Sequence, residues 1–504
     1  MASKLASLFK DTTIYGASTI LARGLNYLLV PFYANLLSAD ENGIQGLIYT
    51  NIAFAMILYT YGMEQAYLKF AADAQKKNDS TATVSTDAIF TTPFLSILFS
   101  STLFSSLIAL FAESLCDAMN ITRAAALYVR LAALILFLDA VVTIPMTRLR
   151  QERNAARFAL IRISNVVATL AVSLLLLTAF NLGLLGAFLG NIAGSLVSVL
   201  LVLPLMQLPR LDFSASLFKE LLRYGLPFVP NGLAAALIHF IDRNILIRLS
   251  TPEITRIYER ELSAEALVGI YMRVYAFATL LQLVIQMFRF AWQPFFLQHA
   301  SDRDAKNLFS RVFTLTSVGM ILVAFAASMF VPHLIRVYWF ERFYILPPLF
   351  WLGLSIVPIL FLAPVFEMMN TNLSAGLMIE KRTEVLPIVT AIGAGVTFLL
   401  CVVLIPKFAM TGAAIAGVSG SLAMTIGTYI FSQRIYPNSF EWTKILSTLC
   451  LAVALWHLST NVVGGVWPQV VALVLFIGVL MMLFAKEVRS ITKRLAPKKT
   501  VLDS

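Results

Sequence analysis

Charge is scarce in this chain. Of its 504 residues only 13% are Asp, Glu, Lys or Arg, against 59% hydrophobic, and mean hydropathy is +0.82. A soluble globular domain carries about a quarter charged residues, so that class is excluded. Cysteine is scarcer still: Cys116, Cys401 and Cys450 stand far apart, in or beside apolar stretches. That gives neither a disulfide framework nor a metal-ligand spacing, and the three read as small hydrophobic filling. No Walker loop, HExxH motif or nucleophile elbow occurs. The chain therefore offers no machinery for ATP hydrolysis or hydrolytic chemistry and no cofactor site, and it reads as a protein that is not an enzyme. A net charge of +11 raises the question of a nucleic-acid partner, but the basic residues are spread among loops rather than gathered with aromatics. Nucleic acid is excluded on that pattern.

What fills the chain is apolar runs of about 20 residues, the length that crosses a bilayer. They fall at 12–37, 44–68, 88–112, 124–147, 158–180 and 183–208, then at 217–249, 265–288, 312–333, 344–372, 384–405 and 410–433, and last at 443–463 and 467–485. The fold class is an all-α polytopic membrane protein of about fourteen transmembrane helices. The first run is long, contains Arg23 and has no small-residue cleavage pattern after it, so it is read as a retained helix rather than a signal peptide. Assigning the N-terminus and alternate loops to one side collects most Lys and Arg there, and leaves the other side Arg123, Arg248, Arg256, Arg260, Arg336, Arg342 and Lys407. By the positive-inside rule both termini are expected in the cytoplasm.

The runs repeat. Gly43-Ile44 with Ile48-Tyr49 is echoed by Gly269-Ile270 with Val274-Tyr275, and Gly186-Ala187 with Gly194-Ser195 by Gly412-Ala413 with Gly420-Ser421, both 226 positions on. Asp139, Thr143 and Glu152 match Glu367, Thr371 and Glu380 at 228, which implies an indel of about two residues. Six helices lie within one offset, and an even number preserves orientation. The expectation is two parallel repeats with a substrate path between them: residues 1–210 and 211–436 as six-helix bundles, and 437–504 as a terminal helix pair with a basic tail.

The most telling run is 219–250, KELLRYGLPFVPNGLAAALIHFIDRNILIRLS. Pro227 and Pro230 each remove a backbone donor, so a bend or break is expected there, tolerable in a membrane only against protein or water. Asp242 and Arg243 agree, since an ionisable residue in a span costs about 2.5 to 3.5 kcal/mol on insertion scales and faces a bundle interior or cavity. The segment reads as a wall of a polar path.

Tyr224-Gly225-Leu226-Pro227 with Pro230 and Asp242-Arg243, then Gly269-Ile270-Tyr271 and Ala291-Trp292-Gln293-Pro294-Phe295, resemble the Wzx-type repeat-unit flippases of polysaccharide and O-antigen biosynthesis, within the multidrug/oligosaccharidyl-lipid/polysaccharide superfamily. The opening stretch 11–37 and Glu41-Asn42-Gly43 resemble that family's first helix and turn. The resemblance implies a bacterial inner-membrane flippase that carries an undecaprenyl-pyrophosphate-linked oligosaccharide between leaflets. Its implied partners are that substrate, membrane lipids, and polysaccharide polymerase and chain-length machinery.

Arg23, Arg130, Arg162, Arg243 and Arg273 lie within the expected spans, with Glu64, Asp139, Asp242 and Glu367 as acids. Five arginines facing lipid would cost on the order of 15 kcal/mol, so most must face inward. Arg162 is close enough to the end of its span to snorkel. Arg23, Arg130, Arg243 and Arg273 are the candidates for holding the pyrophosphate, because a planar guanidinium donates in parallel and keeps its charge; the bland alternative pairs each with an acid on a neighbouring helix. Asp139, Asp242, Glu367 and His239 are the ion-coupling candidates. His239 is three residues before Asp242 and four before Arg243, hence beside either on a helix, as a proton relay or as a structural hydrogen bond. Tyr271, Trp292, Phe295 and Phe296 are read as an interfacial belt rather than sugar contacts. Open alternatives are a lipid II flippase, a multidrug or cation antiporter, which a cavity of arginines disfavours, and a polytopic polysaccharide polymerase or ligase, which would need a large outer loop where 250–264 is short.

Overall fold

The computed structural model describes residues 16, 21–22, 24–76, 86–206, 212–339, 343–463 and 465–485. Arg23 and the basic tail from 486 onward lie outside the described residues. In chain order the first half holds α1 (Leu29–Leu36), α2 (Ala39–Thr60), α3 (Met63–Lys76), α4 (Thr86–Leu110), α5 (Ala112–Ala118), α6 (Ala126–Gln151), α7 (Ala155–Thr178) and α8 (Gly183–Val202). The second half holds α9 (Ala215–Gly225), α10 (Phe228–Leu246), α11 (Thr251–Tyr258), α12 (Ala264–His299), α13 (Ala305–Ile335), the single turn α14 (Val357–Leu360), α15 (Leu362–Ile379) and α16 (Val385–Ile435). Helices α17 (Trp442–His457) and α18 (Val466–Leu483) follow, and Tyr338–Trp339 pairs antiparallel with Phe343–Tyr344.

Among the described residues eleven helical segments are long and apolar enough to cross a membrane, or twelve with the bent pair α9 and α10 counted as one span. Dividing the 51-residue α16 at Ala409, where φ is +45°, adds one more. The expected opening span lies largely outside the described residues. The fold is an all-α multi-pass membrane protein, as composition demands.

The expected break in 219–250 falls between Gly225 and Phe228, with a bend of 41°. Its cause is Pro227, which lacks the amide a continuous helix would use. Before the bend α9 is amphipathic and buries Leu217 and Leu221 among residues of α3, α4 and α6. After it, α10 enters the second half, so the bend is where the chain changes partners.

The repeat is visible in packing. Helices α7 and α8 form an antiparallel hairpin in which a Cβ on Gly194 would collide with the Thr169 hydroxyl and stand 2.7 Å from the Asn165 carbonyl oxygen. The two arms of α16 do the same, with a Cβ on Gly420 colliding with the Thr397 hydroxyl and standing 2.9 Å from the Gly393 carbonyl oxygen. The glycines are 226 positions apart and their partners 228, so the indel lies in the hairpin turns. The first turn carries Asn181 and Gly183 at positive φ. The second, two residues shorter, closes through Ala409, and Tyr258 Oη of α11 accepts a 3.2 Å hydrogen bond from the Met410 amide. Close approach of small residues is what holds helices together where lipid supplies no hydrophobic drive.

Local signals at the start of α2 are equally plain. Ser38 caps it by accepting from the Glu41 amide at 3.1 Å, and Glu41 returns the bond by accepting from the Ser38 amide at 2.8 Å, the reciprocal arrangement that S-x-x-E encodes. Cys116 and Cys401 are buried as filling, whereas Cys450 is exposed.

Candidate functional site

Two polar cavities stand inside the bundle at equivalent places in the repeat. The larger, about 550 Å³, lies in the first half between α2, α3, α6, α7 and α8. Asp139, Asn165, Asn191 and Ser195 line it, and Arg150 and Arg162 bring positive charge to its wall. Asp139 Oδ1 accepts a 2.7 Å hydrogen bond from Ser195 Oγ. Arg150 donates to Glu64, and the Arg162 guanidinium carbon lies 5.7 Å over the Phe158 ring.

The smaller cavity, about 20 Å³, lies in the second half and is lined by His239, Asp242, Tyr275, Glu367, Gly417 and Ser421, among others. That volume accommodates about one water. Glu367, Ser421 and Gly417 are the repeat equivalents of Asp139, Ser195 and Asn191, at offsets of 228, 226 and 226. Each half thus carries, at the equivalent position on its fourth span, an acid facing its own polar cavity, with a second acid, Glu64 or Asp242, also in the lining. The second-half acid differs in its surroundings: Glu367 Oε1 is buried without a hydrogen-bond partner and stands 3.8 Å from His239 Nδ1.

Asp242 and Arg243 do pair, at 3.1 Å between Oδ1 and Nη1. Asp242 also accepts from the Arg243 amide at 2.8 Å and from the Tyr271 hydroxyl. Arg243 is 1% exposed. Its guanidinium donates to the His239 carbonyl, lies 2.7 Å from Met272 Sδ and stacks over Tyr275 with 4.3 Å to the ring centroid. A buried guanidinium with its donors engaged this fully is held as part of the core.

The four arginines singled out from the sequence are not brought to one place. Arg23 is outside the described residues. Arg130 is 47% exposed and reaches Glu113 at 3.6 Å and the Ala109 carbonyl at 3.3 Å, away from both cavities. Arg243 sits beside the small cavity, enclosed as described. Arg273 donates to the side-chain oxygens of Asn42 and Gln45 on α2, in the other half, and lies 5.2 Å over the Tyr33 ring. The four ion-coupling candidates are brought together in two groups: Asp139 alone in the first half, and His239, Asp242 and Glu367 around the small cavity.

The aromatic belt is corrected for three of its four members. Tyr271 is buried and bonded to Asp242, and Trp292 and Phe296 are buried in a cluster with Phe288 and Phe309; Phe295 is half-buried and stacks on Trp292 at 5.7 Å. Asn165 and Asn191 escaped the sequence reading. A signal for the second existed, because Asn191, Ser195 and Ser198 recur at i, i+4 and i+7, one polar stripe on an apolar helix.

Comparisons with known proteins agree with this architecture. A structure described as lipid II flippase MurJ in an inward closed conformation superposes with a TM-score of 0.71 at 12% identity, over 94% of this chain and 99% of that one. An inward-facing multidrug resistance MATE transporter of the MOP superfamily gives 0.63 at 15%, over 84% and 94%. The eukaryotic MATE transporter AtDTX14 gives 0.54 at 13%, over 90% and 98%. No curated protein sequence matches the chain. At such identities the likeness establishes the fold. The model of the family described as polysaccharide biosynthesis protein matches residues 8–299, more than half of the chain, and the protein belongs to that family.

Proposed function

We propose that this protein is a flippase that moves polyprenyl-pyrophosphate-linked oligosaccharide repeat units, of the O-antigen or another cell-surface polysaccharide, from the cytoplasmic to the outer leaflet of a bacterial inner membrane. Both termini face the cytoplasm, no covalent chemistry is performed, and the product passes to a polysaccharide polymerase and its chain-length machinery. The observation that carries this reading is the pair of equivalent acid-bearing cavities, one in each half of a member of the polysaccharide biosynthesis family. Two parallel repeats that rock about a shared axis exchange access between faces, and an acid in each repeat gives that motion an ion to couple to. In the first half, Arg150, Arg162 and the amides of Asn165 and Asn191 supply the donors that a phosphate or a glycan accepts. In the second half, His239, Asp242 and Glu367 line the small cavity together and form the proton-handling group.

A second reading, a lipid II flippase, draws support from the TM-score of 0.71 to the structure of that name. The deciding experiment is leaflet-resolved detection of lipid-linked saccharides in cells with and without the protein. Repeat units accumulating on the cytoplasmic face on deletion support the proposal, and accumulation of lipid II instead supports the second reading. Units that reach the outer face but stay unpolymerised would overturn both in favour of an enzyme.

A further inference from the structure

The two halves touch through a contact that is itself two-fold. A Cβ on Gly43 of α2 would stand 2.6 Å from the carbonyl carbon of Glu265, and a Cβ on Gly269 of α12 would stand 2.9 Å from the Gly43 nitrogen and collide with the carbonyl of Ala39. Gly43 with Gly269, and Ala39 with Glu265, are equivalent pairs at the offset of 226. Each glycine therefore receives the backbone of the other repeat at the same place, as an isologous contact about a two-fold axis requires. The approach is backbone to backbone, so no flexible side chain can move aside for a substituent.

Around this crossing the polar side chains of the two halves are joined. Arg273 of α12 donates to Asn42 and Gln45 of α2. The Asn42 amide nitrogen donates onward to the carbonyls of Tyr33, Leu37 and Ser38 at 3.1, 3.2 and 2.8 Å. Ser263 donates to Asp40 at the rim. Asn42 is fully buried and Gln45 nearly so. Asn42, Gly43 and Gln45 lie in the first two turns of α2, Gly269 in the second turn of α12 and Arg273 in its third, at the end of the bundle that carries α11. By the positive-inside reading this is the outer face.

We infer that the Gly43–Gly269 crossing is the outer gate of the transporter, with Arg273, Asn42 and Gln45 as its latch. The inference rests on the alternating-access reading above and deepens it. With the gate shut the halves are zipped at the outer face, and release of substrate outward requires these contacts to part. Arg273 then acts by holding the halves together rather than by holding the phosphate. Either glycine replaced by alanine would prevent closure and favour the outward-open state.

The test uses the full-length chain with Cys116, Cys401 and Cys450 replaced and Asn51→Cys as reporter. Asn51 donates to Asn244 across the two halves at 3.2 Å, and by helix rise it lies about 12 Å beyond Gly43. Labelling by a membrane-impermeant maleimide applied at the outer face should rise about tenfold with Gly43→Ala or Gly269→Ala, as the open population grows. Gly319→Ala, where a Cβ meets nothing within 4 Å, should leave labelling unchanged. Labelling unaltered by both gate substitutions would overturn the gate. For a glycine variant that fails to insert, the pair Asp40→Cys with Ser263→Cys serves in its place. Oxidation should stop flipping and reduction restore it, and undiminished flipping by the oxidised pair would overturn the inference. The labelling needs no substrate. A labelling rise without any transported oligosaccharide would therefore leave the gate standing and remove the proposed function, and the reverse result would do the opposite.

Discussion

The Nδ1 atom of His239 on α10 stands 3.8 Å from Oε1 of Glu367 on α15, and that carboxyl oxygen is buried with no hydrogen-bond partner of its own. An acid left unsatisfied inside a membrane bundle costs stability unless it is neutral or is visited by a cation. Under the coupling proposed above, this pair is where the ion would be held as the halves rock. Asp139, the repeat equivalent, is instead satisfied by Ser195. The two cavities share an origin and differ in chemistry.

Replacing Glu367 with glutamine keeps the volume and removes the exchangeable charge. Flipping in proteoliposomes driven by an imposed pH difference should fall about 5- to 150-fold, the usual span of a coupling free energy, while flipping without the gradient changes little. His239→Gln should act in the same direction. A gradient-driven rate that survives both substitutions would remove this pair from coupling.

The hairpin glycines give a prediction about stability alone. Gly194→Ala and Gly420→Ala each force a methyl against a backbone carbonyl and a threonine hydroxyl, and overpacking of this kind costs about 1 to 3 kcal/mol. Because the two sites are equivalent, the losses should be similar, and thermal unfolding of the detergent-solubilised protein would show them as matched drops in midpoint. Gly395→Ala, whose Cβ meets nothing within 4 Å, should leave the midpoint where it is. A large difference between Gly194→Ala and Gly420→Ala would mean that the repeat is not preserved in packing.

These elements differ in how far the sequence disclosed them. The bend at Pro227 was legible because a missing amide acts locally, and the repeat was legible because the glycines that pack the hairpins keep their spacing. The partners of the arginines were not. The cost of a charge in lipid says that Arg243 and Arg273 face inward but not which neighbouring helix they meet, and both turn out to be engaged by protein. Asn42 and Gln45 carry no sequence signal that pairs them with an arginine 228 or more positions away, and only the crossing of α2 with α12 gives them Arg273. Trp292 and Phe296 sit near the end of a long helix, where a belt is the usual reading, yet their neighbours from α13 bury them.

The arginines also give the sharpest contrast in energy. Arg243 and Asp242 form a buried pair at 3.1 Å, with side chains almost wholly enclosed. Arg243→Ala leaves Asp242 with only the Tyr271 hydroxyl and the backbone amide of residue 243, and breaking a buried pair from one side costs about 3 to 5 kcal/mol. Arg130 and Glu113 are 3.6 Å apart with both side chains substantially exposed, and such a pair is worth about 0 to 1 kcal/mol. Arg243→Ala should therefore be poorly folded and scarce in the membrane, whereas Arg130→Ala should be expressed, stable and able to flip its substrate at nearly the unsubstituted rate. Expression, thermal unfolding and the leaflet assay, run on the two variants side by side, separate the outcomes. A folded Arg243→Ala that inserts normally but does not flip would return Arg243 to substrate binding, and an inactive but stable Arg130→Ala would do the same for Arg130.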